Sequence, residues 1–294
     1  MTSQALQIQK GPFVEISPEA QVGFGCTFGS HCFVHKGAVV GANVHIEGGV
    51  ILHEGVAIED GVEIGANVVF VRPRNTIGAP ATLICRGSQI GGNATLAAGV
   101  TVGEQALVEP GSVVLNSVQP YAIVAGNPAK VVGFRGASVA VKTASPATPA
   151  GQGLGMLCRV RGVRLFELPF ISDPRGNLTV GEFEKTIPFR PLRYFITFDV
   201  PNARIRGEHA HRECEQFLIC VRGSCAVVVD DGQQREEILL DRPTLGIYVP
   251  PMIWATEYKH TSDSTLMVFA SEYYDPEDYI RNYAEFTTLI GKEQ

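Results

Sequence analysis

A six-residue period runs through the first half of this chain and limits what it can fold into. Stepping by sixes from Ile16 meets Val22, Phe28, Val34, Val40, Ile46, Leu52, Ile58, Ile64 and Phe70, all apolar. Shifting by four meets Ala20, Cys26, Cys32, Ala38, Val44, Val50, Val56, Val62 and Val68, all small or β-branched. A sandwich of alternating strands has no reason to hold such a phase over ten hexads. A solenoid does, because every coil repeats the same inward slot. The period predicts a parallel β-helix with one large aliphatic side chain inward per hexad. Gly41, Asn43, Gly65 and Asn67 stand at its turns, where left-handed backbone is expected.

The phase breaks from Arg72 to about Leu83. It resumes offset by two at Ile84, Ile90, Leu96, Val102, Val108 and Val114, with Ser88, Ala94, Val100, Ala106 and Ser112 in the small slots. An insertion of that size must loop outward, where loops carry function. The last coil runs into Pro120-Tyr121-Ala122-Ile123-Val124-Ala125-Gly126-Asn127-Pro128-Ala129-Lys130. Together these features resemble the hexapeptide-repeat acyltransferases over residues 10–134, and in particular the sugar-nucleotide N-acetyltransferases. The resemblance implies a left-handed helix, a trimer, and acetyl-CoA as co-substrate near Gly126, Asn127, Pro128 and Lys130. The family's usual Gln-Asn pair before the loop stands here as His53-Glu54, and its Phe-Thr-Asn-Asp loop entry as Phe70-Val71-Arg72-Pro73. Acyl transfer to an amine needs a route for the proton. Of His31, His35, His45 and His53, none takes an inward slot. His53, with Glu54 beside it to orient the ring, is the candidate base. Three His set across a subunit interface to hold zinc, as in hexapeptide-repeat carbonic anhydrases, are the competing arrangement.

Residues 135–155 are rich in Ala, Ser, Thr, Pro and Gly and read as a linker between domains at 1–134 and 156–294. Beyond it the period of six never returns. Short alternating segments such as Gln216–Val221, Cys225–Val229 and Leu245–Val249, separated by turn signals at Asp173-Pro174-Arg175-Gly176 and Asp230-Asp231-Gly232, predict a small jelly roll. The tail from Pro276 to Leu289 reads as helix. The fold class is therefore all-β: a β-helix followed by a cupin-type barrel.

The chemistry concentrates in Arg206-Gly207-Glu208-His209-Ala210-His211, followed by Glu215-Gln216. Residues two apart on a strand share a face, so the two imidazoles project together. The spacing to Glu215 is that of cupin metal sites. The later His that such sites use is missing, since Trp254 is followed by Ala255 and His260 is out of position.

These motifs, with Gly246-Ile247-Tyr248-Val249-Pro250-Pro251-Met252-Ile253-Trp254 and Asp278-Tyr279-Ile280-Arg281, resemble the sugar-nucleotide 3,4-ketoisomerases of the WxcM-like group over residues 157–290. The resemblance implies metal-free proton transfer on dTDP-4-keto-6-deoxyglucose. His209 and His211 are then the acid–base pair and Arg206 stabilises the enediolate or the diphosphate. Arg175, Tyr194 and Tyr248 contact substrate, while Glu215 and Gln216 orient the imidazoles. Near-neutral imidazole suits a proton that is both taken and returned.

Joined, the halves imply a bifunctional enzyme of surface-glycan (lipopolysaccharide or O-antigen) biosynthesis, a trimer or hexamer. A separate PLP-dependent aminotransferase would act between the two steps. The alternatives are an isomerase whose β-helix is only a scaffold, and a sugar-nucleotide-binding regulator.

The formal net charge of -6 argues against nucleic acid. The start of the chain has no long apolar run and no segment of membrane-spanning length occurs, so a cytoplasmic protein is expected. The seven Cys, with no C-x-x-C among them, read as reduced, mostly buried thiols.

Overall fold

The computed structural model describes residues 8–73, 81–139, 156–201 and 204–291. The chain divides into two compact units, Met1–Arg135 and Gly136–Gln294.

The first unit is a parallel β-helix of two- and three-residue strands. Thr27 pairs in register with His45, and His45 with Glu63, so one coil is 18 residues. Across the expected insertion Glu63 pairs with Gln89, a separation of 26. The centre of that loop, 74–80, lies outside the described residues. The inward slots are filled as the period requires. Phe28, Val34, Val40, Ile46, Leu52, Ile58, Ile64 and Phe70 are buried, as are Ile84, Ile90, Leu96, Val102, Val108 and Val114 beyond the loop. Burying each such side chain contributes about 1.5–3 kcal/mol.

Asn43 and Asn67 do adopt left-handed backbone, with φ of 55° and 56°. Gly41 and Gly65 do not, and are glycine for a different reason. A Cβ on Gly65 would sit 2.5 Å from the backbone N of Gly92, because the neighbouring coil passes directly against it. Ala122–Ala125 pairs in parallel with Leu107–Val108, and Lys130–Phe134 folds back antiparallel on it.

The second unit packs two six-stranded sheets face to face. In one the order is Ala137–Val139, Arg235–Leu240, Cys225–Asp230, Trp254–Tyr258, Arg206–His211 and Tyr279–Ile280. In the other it is Met156–Leu157, Arg164–Glu167, Leu245–Val249, Gln216–Arg222, Thr265–Ala270 and Arg193–Phe198. Alternate residues of both meet inside: Cys225, Val227, Val229, Ile238 and Leu240 against Leu165, Leu218, Cys220, Ile247, Leu266 and Val268. The opposite face of the second sheet buries Phe166, Phe217, Ile219 and Tyr248 under Leu168, Ile187 and Phe189.

Two sequence expectations change. Some of the expected linker, Ala137–Val139, is a strand paired in parallel with Arg235–Glu237, while 140–155 lie outside the described residues. The tail is not one helix. A single 3-10 turn, Pro276–Asp278, leads into Tyr279–Ile280, which pairs with Ala210 and His211, and only Tyr283–Ile290 is α-helical. Asn282 caps that helix, its side chain accepting from the Glu285 N–H at 3.1 Å. The helix lays Phe286 and Ile290 against Ala210, Trp254 and Ile280. Among the described residues no helix is long and apolar enough to cross a membrane. All seven cysteines are free, five of them buried.

Candidate functional site

Strand alternation decides what can meet in the barrel. Ala210 points outward into the helix-covered cluster, so His209 and His211 point inward. His209 Nδ1 donates to the Gly207 carbonyl at 2.8 Å, and His211 Nδ1 to the Asp278 carboxylate at 2.6 Å. With both Nδ1 atoms facing acceptors, each neutral ring keeps its proton there and turns the Nε2 lone pair inward. The two Nε2 atoms are 3.2 Å apart, within proton-transfer reach. The Gln216 amide donates to His211 Nε2 at 3.1 Å, leaving His209 Nε2 the less encumbered lone pair.

Burial lowers His209 to about 4, against the pull of the Gly207 carbonyl. Burial also lowers His211, although the Asp278 carboxylate opposes it. Both rings are therefore neutral bases near pH 7. Burial works to raise Asp278, but the Glu213 N–H and His211 overcome it and the carboxyl ends below its ordinary value.

Tyr279 holds the pair from the side, its ring centroid 4.8 Å from that of His209 and 4.4 Å from that of His211. Its hydroxyl accepts from Arg193 at 3.3 Å, and Arg281 lies 4.1 Å over its ring. Asp278, Tyr279 and Arg281 are not among the site candidates that the sequence singles out, although their segment carries the family resemblance. Nothing local marks them, because only the pairing of Tyr279–Ile280 with the His209–His211 strand brings them in.

Of the residues read from the sequence, His209, His211 and Gln216 come together. Arg206 lies on the same strand in register with Glu257, facing the interior at its exposed end. The other candidates are not brought to the imidazoles. Tyr194 is in register with Phe269, on the outer face of its sheet, and is 65% exposed. Its neighbour Arg193 takes the inward position instead. Tyr248 packs in the outer cluster, and its hydroxyl donates to Glu215, whose carboxylate thereby serves Tyr248 and not the His pair. His209, His211 and Glu215 consequently do not converge. His211, Cys214 and Asp278 bring ligand-type atoms within 4.8 Å of one another, but His211 Nδ1 and both Asp278 oxygens are taken up by hydrogen bonds. Arg175 stands on the hairpin Phe170–Asp173/Gly176–Thr179, paired with Asp173 at 2.8 Å.

In the β-helix, His53 and His35 occupy the same position on successive coils, ring centroids 5.5 Å apart. His53 Nδ1 is buried with no partner, and burial, then Arg72 and His35, lower its pKa. Glu54 extends under Gly37 of the preceding coil, and no hydrogen bond joins it to His53. Arg72, from the loop entry, is thus the charged neighbour of His53. Gly126, Asn127 and Pro128 form the turn between Ala122–Ala125 and Lys130–Phe134.

Residues 161–291 match the family model described as WxcM-like, C-terminal. Residues 20–54 and 76–116 match the hexapeptide repeat of succinyl-transferase. The chain is 46% identical over 122 residues to a TDP-4-oxo-6-deoxy-alpha-D-glucose-3,4-oxoisomerase of Aneurinibacillus thermoaerophilus, covering 42% of this chain and 88% of that protein. The chain belongs to this oxoisomerase family. The solved sugar 3,4-ketoisomerase of Thermoanaerobacterium thermosaccharolyticum in complex with TDP is 34% identical, with a TM-score of 0.44, and aligns with 45% of this chain and 97% of its own. The WxcM-like match falls within the second unit. The chain is also 42% identical over 53 residues to a dTDP-3-amino-3,6-dideoxy-alpha-D-galactopyranose 3-N-acetyltransferase of Aneurinibacillus thermoaerophilus. That match covers 18% of this chain and 28% of that protein.

Proposed function

We propose that the second unit isomerises dTDP-4-keto-6-deoxyglucose to its 3-keto isomer. The β-helix then acetylates, from acetyl-CoA, the 3-amino sugar made from that product. The observation that carries the isomerase activity is the inward pair of neutral imidazoles, Nε2 atoms 3.2 Å apart, each ring fixed through Nδ1.

The C3–H beside a C4 ketone is acidic because its electrons can pass into the carbonyl. A neutral imidazole removes that proton, an enediolate forms, and the imidazolium returns a proton at C4 as the ketone re-forms at C3. Two Nε2 atoms in mutual reach let one proton serve both carbons. Asp278 holds His211 in the required tautomer. Arg206, at the open end of the same strand, supplies positive charge for the enediolate or the diphosphate.

Support for the acetyl transfer is the hexapeptide repeat, the likeness to a sugar 3-N-acetyltransferase, and a His53 whose lowered pKa keeps it a free base. The amine between the two steps would come from a separate PLP-dependent aminotransferase. A trimer through the β-helix, or a hexamer joined through the barrels, fits the two folds.

The test is incubation with dTDP-4-keto-6-deoxyglucose in heavy water, with NMR of the product, and acetyl-CoA consumption with a dTDP-3-amino-3,6-dideoxyhexose. Formation of the 3-keto isomer supports the isomerase activity, with protium retained at C4 to the extent that one proton serves both carbons, and substrate recovered with neither isomer nor C3 exchange refutes it. Isomerisation without acetyl transfer leaves the β-helix as a scaffold.

A further inference from the structure

The barrel interior holds a carboxyl that the proton transfers above do not use. Glu257 lies on the Trp254–Tyr258 strand, where register fixes its direction. It pairs with Val227 on one side and Arg206 on the other, while Ala255, two residues earlier, pairs with Val229 and His209. Directly paired residues share a face, as do residues two apart. Val227 and Val229 belong to the interior core. Glu257 therefore points into the barrel on the same wall as His209, one step diagonally away. Such diagonal neighbours have Cβ atoms roughly 7–8 Å apart, so both side chains can address one bound sugar ring.

The ionisable groups that act on this carboxyl, or feel it, are Arg206 and the Cys225 thiol. The Glu257 carboxyl makes no hydrogen bond among the described residues, although its residue is 9% exposed. Its oxygens are not among the wholly buried atoms left without a partner, so the carboxyl keeps a side open to a bound group. A proton given to the ketone oxygen would turn the enediolate into a neutral enediol, and the imidazole pair, engaged at the carbons, does not supply it.

We propose that Glu257 is the general acid of the isomerase, donating its proton to O4 of the sugar while an imidazole of the His209–His211 pair removes the proton from C3. This rests on the isomerase reading above. In the first half-reaction the C3–H electrons form the C3=C4 bond, and the C4=O π pair takes the Glu257 proton. An enediol, an imidazolium and the Glu257 carboxylate result. In the second, the carboxylate takes the proton from O3, the C3=O bond forms, and the C3=C4 pair takes the imidazolium proton at C4. Both groups return to their starting forms and no outside reactant is consumed. Burial pushes Glu257 up to about 7, against Arg206, while His209 is lowered to about 4. Environments that push a carboxyl up and an imidazole down in this way mark an acid and a base.

The test compares wild type, Glu257→Gln and Glu257→Met with dTDP-4-keto-6-deoxyglucose, with dTDP binding measured for each. Gln keeps a hydrogen-bond donor but has no proton to give. Met fills the volume without polarity, so the barrel stays packed. Expected are dTDP affinities within about threefold of wild type and kcat lowered by about 100-fold or more in both variants. The fall of wild-type kcat above pH 7 should also be lost. Either variant turning over within threefold of wild type overturns Glu257 as the acid while leaving the isomerase reading intact. A wild-type protein that neither isomerises nor exchanges C3 overturns both.

Discussion

His211 Nδ1 lies 2.6 Å from Oδ2 of Asp278, a residue 67 positions later in the chain. The other oxygen of Asp278 accepts the Glu213 N–H at 2.8 Å. The carboxylate is thus locked at both ends, and it fixes which nitrogen of His211 carries the proton.

Replacing Asp278 by Asn offers an N–H in place of a lone pair and drives the His211 proton to Nε2. Isomerase kcat should fall by roughly 10²–10⁴-fold with little change in KM. Steady-state kinetics together with ¹⁵N spectra of the imidazoles check it. A variant with unaltered kcat would remove the tautomer argument.

His209 should make stability depend on acidity. Its folded value of about 4 lies below the ordinary 6.5, so the unfolded chain binds a proton that the folded chain refuses. The neutral ring's contribution is intact above pH 6.5, declines as pH falls from 6.5 to 4, and has nothing more to lose below that. The full effect is on the order of 3 kcal/mol. Urea midpoints at pH 7 and 4.5 should converge more closely for His209→Asn than for wild type. Equal separations would contradict it.

The helix that carries the tail is anchored by a buried pair. Arg235 meets Asp230 at 2.6 Å, and the Tyr283 hydroxyl donates to Asp230 at 2.7 Å while accepting from Arg235 at 2.9 Å. Asp230→Ala leaves the Arg235 charge buried beside Tyr283 and should cost about 3–5 kcal/mol. Because the same tail supplies Asp278 and Tyr279, activity should fall before global unfolding as temperature rises. Calorimetry with parallel assays tests this.

In the β-helix, Gly65→Ala forces a methyl to within 2.5 Å of the Gly92 backbone. Coils must separate, at about 1–3 kcal/mol. Gly111, with nothing within 4 Å of a built Cβ but φ of 72°, should lose about 1 kcal/mol from backbone strain alone. Melting temperatures of the two variants should rank in that order.

His53→Ala should lower acetyl transfer by about 100-fold and leave isomerisation untouched, since the two activities belong to separate units. Loss of both in a folded variant would argue against independent sites.

The inward slots of the β-helix, the break after Phe70 and the inward pairing of His209 with His211 were all legible in the sequence. Each depends on a short period, six in the coils and two on a strand, that the chain displays directly. Neighbours across strands carry no such signature. The sequence pointed to Tyr194 and Tyr248, but sheet parity turns both outward and Arg193 inward. The expected help of Glu54 to His53 is missing, because Glu54 lies against Gly37 of the preceding coil. Asp278 and Tyr279 reach the imidazoles, and Glu257 takes its place on the same wall, only through pairings between segments distant in the chain. Periodicity determined which face each side chain takes; the register between strands, which depends on how whole sheets pack, decided which of those side chains meet.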